Sequence, residues 1–273
     1  MRTSPEASAC SSVNRSTVPV LANCLGHYDE QAPMPDLDAH FQCVWTNAIP
    51  DDHVGPVAVV PDGCVDLLWK DGRLMVVGPD IVAASPELHG GTTVLGIRFR
   101  PGAALRWLRT PMSAIVGQAV DLADVWNPGV ARELCLRIGE APTIERQAAV
   151  LQQQLLKQLP DLERPAQDAG AIFAAMASGS DEIGGRISLL VDRLDISERT
   201  LRRRSHDYFG YGPKTLDRIL RFQNFLSLVR AQGKQAMAGL AYEAGYADQA
   251  HLGREIQALC GMTAGSFVRQ ITG

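Results

Sequence analysis

Ser197-Glu198-Arg199-Thr200-Leu201-Arg202-Arg203-Arg204 and, further along, Gly245-Tyr246-Ala247-Asp248-Gln249-Ala250-His251-Leu252-Gly253-Arg254 decide the reading of this chain. Each stretch reads as a capped helix entered through a short turn from an earlier apolar helix. In the first, Ser197 is a good N-cap, and Glu198 puts negative charge into the electropositive first turn. At 3.6 residues per turn, Leu201, Ser205 and Tyr208 share one face, and Arg199, Arg202, Arg203 and His206 share the opposite one. In the second, Asp248 is the N-cap and Leu252, Ile256 and Leu259 form the inward stripe. Ala250, Gly253, Arg254 and Gln257 face away. A single arginine-rich helix is most simply a solvated charged face. A second unit of the same build favours DNA, because Arg pairs bidentately with guanine or holds phosphates. In the second unit small residues let the backbone approach, while Arg254 and Gln249 supply polar contacts.

Between the two units, Pro213 can open a helix at its first turn. Leu216, Ile219, Leu220, Phe222, Phe225, Leu226 and Val229 then repeat at helical spacing up to Ala231-Gln232-Gly233. That apolar coverage is too broad for a free surface helix, and the helix is expected to pack against both flanking units.

With these landmarks in order, the region from Gly184 to Phe267 resembles the DNA-binding domain of the AraC/XylS family of transcription regulators. The match rests on Ser197-x-x-x-Leu201-x-Arg203, Phe209-Gly210-Tyr211-Gly212-Pro213 and Arg221 in the linker helix. It continues through Leu240-Ala241-x-x-Ala244-Gly245-Tyr246-x-Asp248, Leu252-x-Arg254, and Gly261-Met262-Thr263 to Phe267. The resemblance implies two helix-turn-helix units joined by a long helix, with recognition helices in successive major grooves of double-stranded DNA. By position it implies contacts from Arg199, Arg202, Arg203, Gln249, His251 and Arg254. The family usually carries an aromatic where this chain has Ser205 and Ile256. Ile256 keeps its site apolar, whereas Ser205 is expected to loosen the packing of the first recognition helix.

Charge is distributed in the same sense. The whole chain carries a formal −4, but residues 181–273 hold 13 Lys and Arg against 10 Asp and Glu, and the remainder 13 against 20. Only the C-terminal region has the sign that favours DNA. Its excess is small, so groove contacts must add to the phosphate attraction. At 273 residues the chain is long enough for two domains. It has no apolar run long enough for a membrane span. Its Ser- and Ala-rich start lacks the basic and apolar regions of a signal peptide. The six cysteines are scattered without metal-ligand or CxxC spacing, as in a reduced cytoplasmic protein.

The N-terminal half is β-rich. Phe41–Thr46, Val57–Val60, Val65–Lys70, Leu74–Gly78 and Thr93–Phe99 are short strands separated by Pro61-Asp62-Gly63, Asp71-Gly72, Gly78-Pro79-Asp80 and Gly90-Gly91. Asp71-Gly72 between two strands is a specific hairpin signal. This spacing predicts an antiparallel barrel or sandwich. Helical segments follow at Ala103–Leu108, Val120–Trp126, Val130–Ile138 and Ile144–Leu159. Pro61-Asp62-Gly63-Cys64-Val65-Asp66-Leu67, Gly78-Pro79 and Gly96-Ile97-Arg98-Phe99-Arg100-Pro101-Gly102 also resemble the small cupin-like sensor domain that precedes the DNA-binding domain in one branch of AraC-type regulators. That resemblance implies a β-barrel with a helical appendage.

An enzyme or a thiol- or metal-based sensor in this barrel, localised by the helical domain, is the alternative. His40, His53 and His89 lack the His-x-His spacing and following carboxylate of a metal-binding cupin. Asp62 is explained as a turn residue before Gly63. Arg98 and Arg100 lie on one strand face, and Cys64 has no sequence neighbour that would lower its pKa. The expected organisation is therefore α+β. Residues 1–20 form a loose tail. Residues 21–160 form a cupin-like barrel with a helical appendage, serving effector binding or dimerisation. Residues 168–273 form an all-α double helix-turn-helix domain. The polar, proline-containing stretch Pro160–Gln167 divides the last two, and few core contacts are expected across it. No catalytic residue, cofactor or metal is expected. Double-stranded DNA is the expected partner, and a small-molecule effector and a second copy of the chain are the further partners this organisation admits.

Overall fold

The computed structural model describes residues 18–159, 164–179, 182–233 and 236–272. Its N-terminal part contains β1 (Val20–Leu21), β2 (His27–Gln31), β3 (Phe41–Ala48), β4 (Val57–Ala58), β5 (Asp66–Lys70), β6 (Arg73–Val77) and β7 (Thr93–Phe99). Then follow α1 (Ala103–Leu108), β8 (Ala119–Asp121), α2 (Leu122–Val125), α3 (Pro128–Gly139) and α4 (Ile144–Gln158). The C-terminal part is helical: α5 (Gln167–Ala177), α6 (Ile183–Leu194), α7 (Glu198–Phe209), α8 (Pro213–Gln232), α9 (Met237–Glu243), α10 (Gln249–Cys260) and α11 (Ala264–Thr272).

The main sheet is antiparallel, with strand order β2-β3-β7-β5-β6-β8. The β5–β6 hairpin turns through Asp71 (φ 50°) and Gly72 (φ 76°), with Lys70 opposite Arg73. Two successive left-handed residues match the right-handed twist of the strands, as the Asp-Gly pair predicts. Inward residues alternate along β5 and β6, so Leu67, Trp69, Leu74 and Val76 are buried on one face. Leu95, Ile97 and Phe99 of β7 join them. Trp107 of α1, Leu134 and Ile138 of α3, and Leu151 and Leu155 of α4 close the core over this face.

Here the expected barrel is corrected. β2 and β8 are the two edges of an open sheet and do not pair with each other. Every residue of β2 is exposed, and β8 is only three residues long. Helices, rather than the sheet's own curvature, cover the apolar face, so closure is not needed to bury it. Three strands escaped the sequence reading: polar β2, which has no apolar alternation, the short β1, and β8, where the helix expected over Val120–Trp126 instead begins at Leu122 after an edge strand paired with β6.

α4 ends at Gln158 and α5 begins at Gln167, on either side of the proline-containing stretch. Residues 160–163 of the break lie outside the described residues. So do residues 1–17 of the expected tail, although Val20 is already in a strand. The expectation of few core contacts across the break is overturned. Leu21 and Ala58 lie in one buried cluster with Phe222, Phe225, Leu240, Leu252, Ile256 and Phe267. Ala83 N donates to the Leu259 carbonyl at 2.6 Å. Gln270 accepts from Leu21 N and donates to the Pro19 carbonyl, both at 2.9 Å. A polar, proline-containing linker marks where a helix must stop. It does not report how much surface the flanking parts bury against each other.

Leu21 is 1% exposed, and truncating a core leucine costs about 2–5 kcal/mol. Leu21→Ala is therefore expected to lower the urea midpoint of the helical domain, followed by far-ultraviolet circular dichroism. An unchanged midpoint would show that the N-terminal strand adds nothing to that core.

Candidate nucleic-acid interface

The first helix-turn-helix unit is α6, a tight turn and α7. Asp195 turns the chain at φ 50°, a conformation that short polar residues tolerate better than most. Ser197 then caps α7, its hydroxyl oxygen accepting from Thr200 N at 3.1 Å. Leu201 and Phe209 are buried against the core, and Arg199, Arg202 and Arg203 are exposed. His206, on the same face, is half-buried.

Ser205 departs from the sequence expectation, and Arg204, for which the sequence carried none, has a structural partner. Ser205 does not loosen the helix: it is fully buried, and its hydroxyl donates to the Tyr211 carbonyl at 2.7 Å. It thereby ties α7 to the turn that follows, where an aromatic side chain would have filled space instead. Arg204 points sideways and pairs with Asp168 of α5 at 2.7 Å. The other Asp168 oxygen accepts from the Tyr208 hydroxyl at 3.0 Å. Burial and the Asp168 charge push the Tyr208 phenol up to about 12. This group anchors α7 to α5.

In the second unit, Gly245 (φ 82°) makes the turn after α9. Asp248 caps α10 by accepting from His251 N at 2.6 Å. Leu252, Ile256 and Leu259 are buried, as the inward stripe predicts, and Gln249 and Arg254 are exposed. His251 is half-buried, its ring edge-on to Tyr246 with centroids 5.4 Å apart. Five of the six residues implied by the resemblance are thus exposed on α7 and α10, and the sixth is partly covered.

α8 connects the units and carries charges that the sequence reading passed over. Asp217 is 2% exposed. It accepts from Arg186 of α6 and from Arg221, one turn further along α8. Arg186 also donates to the carbonyls of Ala175 and Met176 at the end of α5. Arg221 lies over the Tyr246 ring, 5.7 Å from its centroid, a favourable cation–π placement. Arg218 pairs with Glu255 of α10 at 2.5 Å. Arg218, Arg221, Tyr246, His251 and Glu255 line a cleft of about 210 Å³ between α8 and α10. The available sequence signal was Asp217, a carboxylate inside an apolar stripe with an arginine four residues later.

A family model described as a helix-turn-helix domain matches residues 190–270. The C-terminal region is an AraC-type helix-turn-helix domain. The chain is accordingly a DNA-binding transcription regulator. A second model, described as a domain of unknown function (DUF6597), matches residues 29–121. No curated protein matches the chain. Among solved structures, ToxT from Vibrio cholerae O395 is similar at 12% identity and a TM-score of 0.46, over 84% of this chain and 98% of that one. Wild-type ToxT from Vibrio cholerae strain SCE256, bound to an unsaturated fatty acid, is similar at 11% identity and a TM-score of 0.40, over 85% and 92%.

Outside the helix-turn-helix domain, Arg98, Asp62 and Asp66 of the sheet region satisfy one another. Arg98 makes two bonds to Asp66 and one ion pair to Asp62, each 3.1 Å. Burial raises the Asp66 carboxyl, with Arg98 working against it. Asp62 also accepts from Cys64 N at 2.9 Å, the turn role expected of it. Arg100 does not share this cluster and pairs with Asp38 at 2.7 Å. Burial pushes the Cys64 thiol well above the ordinary range, the opposite of an activated nucleophile. His40 is buried and accepts from Trp107 Nε1 at 3.1 Å. Among the described residues, no group of three or more His, Cys, Asp or Glu is placed to hold a metal, and no helix is long and apolar enough to cross a membrane.

The Asp217 arrangement gives a direct prediction for the helix-turn-helix domain. Removing one partner of a buried ion pair leaves a charge uncompensated and costs about 3–5 kcal/mol. Asp217→Ala strands Arg186, which is 6% exposed. Urea unfolding should show a loss of that order, and a loss no larger than that of an exposed surface substitution would contradict the role given to Asp217.

Proposed function

We propose that α7 and α10 enter successive major grooves on one side of double-stranded DNA and read base edges from their exposed faces. Arg199, Arg202 and Arg203 serve the first helix, and Gln249, His251 and Arg254 the second. The carrying observation is that both capped helices bury their apolar stripes while turning arginines outward, the most direct base readers available to a helix. The charge distribution supports it, since residues 181–273 alone carry a basic excess. The activity is regulation of transcription in the cytoplasm rather than catalysis. The sheet domain modulates it, with a small molecule as effector.

The reading is tested on the first helix. Arg203→Ala should weaken specific DNA binding by about 1–3 kcal/mol and relax preference at one or two bases. Unchanged affinity and preference at fixed salt would remove Arg203 from the interface.

The two helices should also differ. The first presents three exposed arginines and the second one, so the first is expected to meet more phosphates. Arg202→Ala and Arg203→Ala should each flatten the dependence of binding on salt more than Arg254→Ala does. Equal slopes for the three variants would contradict this division.

A further inference from the structure

The loops that carry the sheet domain's sequence signature lie against the helix-turn-helix domain, and one of them runs along its linker helix. Ala58 and Val60 pack in the cluster that holds Phe222 and Phe225 of α8 and the α10 stripe of the second unit. Pro61 follows, its carbonyl accepting from Gln223 of α8 at 2.6 Å. Gly63 comes next (φ 79°), and a Cβ placed there would stand 3.5 Å from Leu216 of α8 and 3.6 Å from Phe173 of α5, both in the first unit. Val57–Cys64 therefore runs antiparallel to α8, from the core of the second unit to the core of the first. Further contacts fix both ends. On the first unit, a Cβ at Gly210, just after α7, would stand 2.5 Å from Val116 and 3.0 Å from Pro79. On the second, Ala83 N is bonded to the end of α10.

We propose that Val57–Cys64 is a splint on the linker helix that sets the separation of the two recognition helices, with Ala58, Pro61, Gly63 and Gln223 as positioning residues for DNA specificity. The inference rests on the reading of α7 and α10 as the two DNA readers. Two readers on one chain behave as tethered modules. Once the first is bound, the strength of the second contact depends on how often the tether presents it at the right distance. A rigid connection concentrates that probability on one spacing. The splint is also continuous with β5, whose Asp66 holds Arg98 together with Asp62 of the splint itself. Displacement of the sheet is thereby transmitted to helix spacing without touching the exposed faces of α7 or α10.

The test uses the full chain and a DNA site containing both elements, with base pairs inserted or removed between them. Wild type should bind well at one spacing and fall steeply on either side. Gly63→Val puts a branched side chain where φ is positive and Leu216 and Phe173 are near. Gln223→Ala removes the bond to the Pro61 carbonyl. Each should weaken binding at the preferred spacing, by about tenfold for Gly63→Val, and flatten the spacing profile. Penalties for base changes within either element should stay as in wild type. If Gly63→Val does not fold, Gln223→Ala decides, with amide hydrogen exchange of Val57–Cys64 reporting whether the splint is loosened. A loosened splint with the wild-type spacing profile would overturn the proposal. A wild-type chain that binds DNA at every spacing equally would overturn it as well. A wild-type chain that binds no two-element site would instead remove the two-reader reading, and the splint with it.

Discussion

A carboxylate with almost no access to water governs the helical half of this protein. Asp217 sits inside α8, where an unpaired charge would be intolerable, and two guanidinium groups from different places neutralise it. Arg186 brings α6 and the end of α5 to the helix. Arg221 reaches the Tyr246 ring in the turn before α10. One buried negative charge thus ties the frames of both helix-turn-helix units to a single rod. Because that charge must be paired, the units have little freedom to slide along α8. A core made only of leucine and phenylalanine would tolerate such sliding more readily, since apolar contacts are not directional.

The two halves of the chain are less separate than their compositions suggest. The sheet domain buries one face under its own helices. Its loops and first strand then complete the core of the second helix-turn-helix unit. The exposed arginines of α7 and α10 remain outside this junction. Contact between the halves therefore leaves the arginine-bearing faces of α7 and α10 uncovered. This arrangement is compatible with regulation through geometry rather than through occlusion.

The sequence was most legible where a local rule had one answer. Ser197 and Asp248 are capping residues followed by helical stripes, and both cap as read. Asp71-Gly72 specifies a two-residue hairpin, and the register obeys it. The inward set of α10 follows directly from 3.6-residue periodicity. What could not be read depended on partners distant in the chain. Arg204 looks identical to Arg203 in sequence, yet Asp168 claims it. Ser205 looked like a packing defect, yet a carbonyl six residues later makes it a tie. Sheet closure could not be read either, because alternation along a strand reports that one face is buried, not whether helices or other strands bury it. The interdomain core was hidden for a related reason: Leu21 and Ala58 are ordinary apolar residues, and only the tertiary fold brings them to Phe222 and Phe225.

The central claim is that two helices on one rigid frame read two neighbouring stretches of DNA. Selection of bound sequences from a random double-stranded pool tests it most directly. The account predicts a site with two short elements separated by about one helical turn, roughly 10–10.5 base pairs centre to centre. Recovery of a single element, of two elements at variable separation, or of no enriched sequence would contradict it.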